Sequence, residues 1–139
     1  MKKYIRIGNV NKRIFNKIKI KLVTDEVVFT YERIEHVNEK RRKIYNEIKD
    51  ILPDAIYNPD YIFKDWNNRE NTLIFIKAID NDSKINIIIK IALENDKKHS
   101  KNSIMTIIKI GQKTFDKILK NKKESLLFEK YRQKWINIV

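Results

Sequence analysis

The stretch that decides the fold is TLIFIKAIDNDSKINIIIKIAL, residues 72–93. Two apolar runs, 72–79 and 84–93, flank the turn cluster DNDS, and a connection that short makes them antiparallel neighbours. Side chains alternate across a strand, so Ile85, Ile87, Ile89, Ile91 and Leu93 form one continuous core face. Lys84, Asn86, Ile88, Lys90 and Ala92 point the other way, which puts a charged lysine in the middle of an isoleucine strand. Working outward, YIF (61–63) and SIMTIIKI (103–110) read as further strands, bounded by DWNNREN and ENDKKHSKN. In the latter strand Asn102, Ile104, Thr106, Ile108 and Ile110 share one face, while Ser103, Met105, Ile107 and Lys109 share the other. An antiparallel pairing then brings Lys90 close to either Thr106 or Ser103, depending on register.

Upstream, residues 3–7 and 18–29 are expected to hold short strands. KIKIKLV (17–23) fits a half-exposed strand or part of a helix over 11–22, and EVVFT (26–30) a strand that hands over to a helix. Thr30 suits the N-cap, with Glu32 and Glu35 in the first turn, where the helix dipole favours acids. Ile34, Val37, Ile44, Ile48 and Ile51 make one helical stripe reaching to about Leu52, and Arg41 falls on that stripe. Pro53 is expected to end the helix and YNPD (57–60) to turn the chain. QKTFDKILK (112–120) fits a short helix or an extended loop, and ESLLFEKY (124–131) a last strand. The expected class is α+β: an N-terminal helical layer packed on a C-terminal antiparallel sheet meander, as a single domain over 1–139.

Composition narrows the function. The chain has no cysteine, so thiolate chemistry and Cys-based zinc sites are excluded, and His36 and His99 lack any metal-ligand spacing. Neither a metal nor another cofactor is expected. No run approaches a membrane-spanning length, which leads to the expectation of a cytoplasmic protein with no membrane partner. Lys and Arg number 31 against 18 Asp and Glu, a net charge of +13 that steers the chain toward polyanions, most often nucleic acid. Taken singly, the notable residues have ordinary explanations. His36 suits a half-buried helix position, Lys90 a solvated strand face, and Ser103 and Thr106 are common strand residues. Arg41 on an apolar stripe either snorkels out of the packing or faces an anion.

Together, the segments ERIEHVNEKR (32–41), NPDYIFKD (58–65), NTLIFIKAI (71–79), INIIIKIAL (85–93) with its Lys90, NSIMTIIKI (102–110) and LLFEKYR (126–132) carry a resemblance. In order and spacing over about 26–132, the chain resembles the phage-type barnase–EndoU–colicin–RelE-like nucleases. Two positions depart from that pattern. The family often has a second histidine five residues after the first, where this chain has Arg41, and a tyrosine near the last strand, where it has Phe128.

The resemblance implies a barnase/RelE-like fold and metal-independent cleavage of RNA, with the substrate's 2′-hydroxyl as nucleophile. Histidine is the side chain that ordinarily titrates near neutrality, so His36 would be the general acid/base. Lys90 and Arg41 would stabilise charge on the phosphoryl oxygens, although an arginine cannot exchange a proton at working pH. Ser103 or Thr106 would hydrogen-bond a phosphate oxygen. Tyr61, Trp66 or Tyr131 would stack on an unpaired base and Arg42 would help hold the strand. The implied partners are single-stranded RNA and a cognate inhibitor protein. Two other readings stay open: a nucleic-acid-binding module without turnover, and a small phage protein that inhibits an acidic protein. His99, in a basic loop, is expected to be solvent-exposed.

Overall fold

A computed structural model describes residues 3–94 and 101–130. Along the chain lie β1 (Tyr4–Asn9), α1 (Lys12–Lys17), β2 (Glu26–Thr30), α2 (Tyr31–Lys40), α3 (Ile44–Ile48), α4 (Leu52–Tyr57) and β3 (Tyr61–Lys64). They are followed by β4 (Thr72–Ala78), β5 (Ser83–Lys90), β6 (Asn102–Gly111), α5 (Gln112–Asn121), a 3-10 turn (Lys123–Ser125) and β7 (Leu126–Glu129). One sheet of seven strands has the order β1-β2-β6-β5-β4-β3-β7.

The β4–β5 hairpin forms as its alternation predicts, in register from Thr72↔Lys90 to Ala78↔Lys84. Its turn is closed by Asp80, whose Oδ1 accepts from the backbone N–H groups of Asp82 and Ser83, both at 2.8 Å. Strands β3 to β6 are the expected meander, with β7 added on β3. The two N-terminal strands are not a separate layer, because β2 joins the meander through a short parallel pairing with β6 (Val27↔Asn102, Val28↔Ser103). Asn102 makes that junction possible. Fully buried, it accepts from Ala92 N–H at 2.8 Å and donates to the carbonyls of Thr24 (2.8 Å) and Glu26 (2.9 Å), which ties the ends of three strands together.

The main core lies on one sheet face, where Phe75, Ile85, Ile87, Ile89 and Ile104 meet Val37, Ile44, Ile48, Leu52 and Ile56 from α2 to α4. Each fully buried aliphatic side chain there contributes about 1.5–3 kcal/mol. A smaller cluster on the opposite face, Phe63, Ile74, Ile76 and Ile88, is covered by Phe115 of α5. Helices therefore contact both faces, not one as expected.

Several boundaries also differ from the expectation. Residues 18–25 form no strand beyond an isolated bridge, Leu22↔Leu93; the helix option was the nearer one, as α1 covers 12–17. The single helix expected to about Leu52 is two, α2 and α3, and a third, α4, begins where it was to end. Thr30 does cap α2, accepting from Arg33 N–H at 3.2 Å. But Arg42 and Lys43 adopt left-handed φ values of 49° and 58°, and Asn38 holds the break by accepting from Tyr45 N–H at 2.9 Å. Pro53 falls in the first turn of α4, where its missing N–H costs nothing, so it starts a helix instead of ending one. Residues 112–120 are helical, settling that alternative.

Candidate active site

The face opposite the main core carries the site, and strand register sets out its floor. One row across the sheet is Thr106–Ile88–Ile74–Phe63; the next is Ile108–Asn86–Ile76–Tyr61, about 7 Å further along. A β-bulge between Ile88 and Ile89 builds the first row: Ile89 pairs with Ile104 and Ile88 with Thr106, leaving Met105 as the extra residue. Strict alternation had placed Asn102, Ile104, Thr106, Ile108 and Ile110 on one face. With the bulge, Asn102 and Ile104 enter the main core, whereas Thr106, Ile108 and Ile110 turn to the opposite face.

Strand β2 accompanies β6 for only two residues, and α2 runs beside β6 beyond that point. Arg33 Nη1 donates to the Met105 carbonyl at 3.3 Å, and Arg41 Nη1 donates to Thr106 Oγ1 at 3.2 Å. The break after Lys40 accounts for Arg41. As the C-cap residue it leaves the apolar stripe and reaches the sheet. These contacts leave a cleft of about 340 Å³. Ile74, Asn86, Ile88 and Ile108 line its floor; Arg33, His36, Lys40 and Arg41 line one wall; Trp66, Asn67 and Arg69 line the other. His36 is exposed, and it also borders a groove on the far side of α2 lined by Glu32, Glu35 and Glu39.

The second wall is held by Asp65, a buried carboxylate. Arg69 donates to it from Nε at 2.5 Å and from Nη2 at 3.3 Å, and Asn67 N–H donates at 2.9 Å. Burial by itself would raise this carboxyl's pKa, but the Arg69 and Asn67 donors outweigh it, and the net direction is below the ordinary carboxylate value. Left-handed backbone at Asn68 and Asn71 (φ 58° and 54°), which asparagine tolerates well, lets the loop fold back. Trp66 packs edge-on against Phe63, with ring centroids 5.7 Å apart.

Of the residues singled out in the sequence, His36, Arg41, Thr106 and Trp66 come together at this cleft. Lys90 and Ser103 are cross-strand partners of each other, which decides the register question, and they lie in the row beyond Thr106, outside the lining. Tyr61 is half-buried, its ring packed against those of Phe63 and Phe115, and it does not line the cleft. Arg42 is exposed in the helix break and does not line the cleft. Tyr131 and His99 fall outside the described residues. Sequence reasoning missed Arg33, Lys40, Arg69 and Asn86. The first two stand at i−3 and i+4 from His36, a helical spacing that identifies them. Asn86 is a lone amide in an isoleucine run. Arg69 sits in an aperiodic loop and has no such signal.

The motif segments prove to be partly architectural. In NPDYIFKD, buried Asp60 accepts from Ala78 N–H at 2.9 Å, and its backbone carbonyl accepts from Lys130 N–H at 2.9 Å, joining β4 and β7 across β3. Lys77 donates to the Asn58 carbonyl at 2.7 Å and pairs with Asp54 and Asp60.

Among the described residues no helix is long and apolar enough to cross a membrane. No curated protein and no solved structure matches the chain. A family model does match, over residues 7–129, which takes in all seven strands except the first residues of β1 and both walls of the cleft. The chain therefore belongs to the family described as phage-Barnase-EndoU-ColicinE5/D-RelE like nuclease2.

Proposed function

We propose that this protein is a metal-independent endoribonuclease, of phage or mobile-element origin, that cuts single-stranded RNA in the cleft between α2 and the 65–71 loop. The observation that carries the reading is the convergence there of an exposed imidazole, four cationic side chains and an indole above an apolar floor. A polyanion is drawn in by Arg33, Lys40, Arg41 and Arg69, and an unpaired base stacks against Trp66. His36 takes the proton from the 2′-hydroxyl as its oxygen bonds to phosphorus. The bond from phosphorus to the 5′-oxygen breaks, and His36 returns the proton to that oxygen, leaving a 2′,3′-cyclic phosphate and a free 5′-hydroxyl. Arg41 stabilises the extra charge on the phosphoryl oxygens, and Thr106, already hydrogen-bonded to it, holds one of them in place. Lys90 and Ser103, one row away, suit a neighbouring phosphate better than the one being cut.

The test is incubation of the purified protein with mixed RNA and with DNA of similar length in EDTA, beside His36→Ala. Fragmented RNA and intact DNA with wild type, and loss of cutting by about 100-fold or more in the variant, are expected from removing an acid/base group. Cutting of DNA, or undiminished cutting by His36→Ala, would overturn the reading. Arg41 in place of a second histidine favours one alternative, a module that retains RNA without cutting it. That reading requires retention of RNA on the protein with no products.

A further inference from the structure

We propose that Asn86 is the specificity-determining residue of this cleft. Its Oδ1 takes a hydrogen bond from the exocyclic amino group of the base stacked against Trp66, so that adenine, cytosine or guanine is selected over uracil. The proposal rests on the reading of the cleft as a single-stranded RNA site.

Asn86 is 4 % exposed and lines the floor, in the row next to Thr106. Its side-chain oxygen is the one buried side-chain polar atom among the described residues that has no hydrogen-bond partner. The other buried amide, Asn102, has both ends of its side chain engaged, and buried Asp60 and Asp65 are likewise bonded. The fold thus satisfies its other buried polar side chains and leaves unpaired the one that belongs to a residue of the cleft floor. A buried acceptor without a donor is costly, and an incoming N–H relieves that cost only on binding. Such a group adds to the difference between ligands, not to affinity in general.

The flanking floor residues, Ile74, Ile88 and Ile108, are apolar, so the rest of the occupant must present a flat, weakly polar face. A nucleobase does so. Asn86 belongs to the cleft floor, and an amino group projecting beyond the ring is the part of a base that would reach furthest toward its side chain. Uracil has no amino group; its outermost atoms are carbonyl oxygens, and either of them directed at Oδ1 sets oxygen against oxygen. Its single N–H lies in the ring between those two carbonyls.

The experiment uses DNA oligonucleotides carrying a single ribonucleotide. The base is varied among A, C, G and U, first at the ribonucleotide and then at its 3′ neighbour. At the position whose base enters the cleft, uracil sites are expected to be cut about 5- to 150-fold more slowly, the discrimination of one good base contact. Replacing the favoured adenosine by purine riboside, which lacks the amino group, is expected to lose the same factor in the unaltered protein. Asn86→Leu, near in shape and without the orphan oxygen, is expected to melt at the same or a higher temperature while its preference falls to within about twofold, as expected once a polar discriminator is gone. Equal cutting at all four bases, a preference untouched by Asn86→Leu, or purine riboside accepted as well as adenosine would overturn this proposal and leave the RNA reading standing. If wild type binds without cutting, the same preferences are read from dissociation constants. Wild type that neither cuts nor binds any of the oligonucleotides would overturn both.

Discussion

At the scale of single residues, Arg41 and Asp65 do unlike work on opposite walls of one cleft. Arg41 binds Thr106 and brings a fixed positive charge to the site, but it cannot pass a proton. On the mechanism proposed above, His36 would then serve both proton transfers in turn. Arg41→His, which supplies the second histidine that the resemblance leads one to expect, is expected to raise the rate of RNA cutting by about tenfold or more and to give a bell-shaped pH–rate profile. A fall in rate would show that the charge, not the missing imidazole, is what limits turnover. Asp65 has a depressed pKa in the folded protein, held down by the Arg69 and Asn67 donors against the effect of its own burial. The sign follows from linkage: such a carboxylate stabilises the fold fully above its unfolded pKa, near ~3.9, and that stabilisation is lost as pH falls through the lower, folded value. Asp65→Asn is therefore expected to cost about 1–2 kcal/mol near neutrality, since it weakens hydrogen bonds to a charged group. In urea titrations the gap from wild type should close as pH falls through the lowered folded pKa, below which both chains carry a neutral side chain. A gap that persisted there would mean the carboxylate's charge is not the source.

At the scale of elements, the bulge in β6 matters most. It allows one strand to contribute Ile104 to the main core and Thr106 to the cleft two residues later. The helix break at 41–43 acts in the same way on the other side, by turning Arg41 out of the packing and toward the sheet. The β2–β6 junction next to the bulge is held by Asn102. Asn102→Leu removes three hydrogen bonds and strands the Ala92 N–H with the Thr24 and Glu26 carbonyls, and is expected to destabilise the protein by about 2–4 kcal/mol. Chemical denaturation measures the loss, and a cost under about 0.5 kcal/mol would place it among ordinary surface changes and show the junction to be dispensable. Much of this level was legible in the chain. The alternation in 84–93, the Thr30 cap and the turn at Asp80 are local patterns, and local patterns survive folding. The bulge was not legible, because one extra residue in an apolar strand has no local signature.

At the scale of the whole molecule, the +13 charge acts through long-range attraction and the cleft through contact. Binding to single-stranded RNA should weaken steeply with salt, the slope of log K against log salt falling by about 0.7 for each phosphate contact removed. Arg33→Ala and Lys40→Ala are each expected to reduce that slope by about this amount without changing which base is preferred. Asn86→Leu is expected to do the reverse. Titrations at several salt concentrations separate the two, and slopes unchanged in the arginine and lysine variants would place the phosphates elsewhere.

The sequence by itself determined which side chains could be buried, where the middle strands turn, the excess of positive charge, and, through its ordered segments, the nuclease family. Those properties are written in neighbouring residues, since hydrophobic period, capping and turn chemistry act over a few positions. The tertiary structure decided which strands pair in parallel, where the register slips, and that Arg69 and Asn86 share a cleft with His36, 33 and 50 positions before them. Such neighbours are chosen by burial and hydrogen bonding summed over the whole sheet, and no short window of the chain contains that sum.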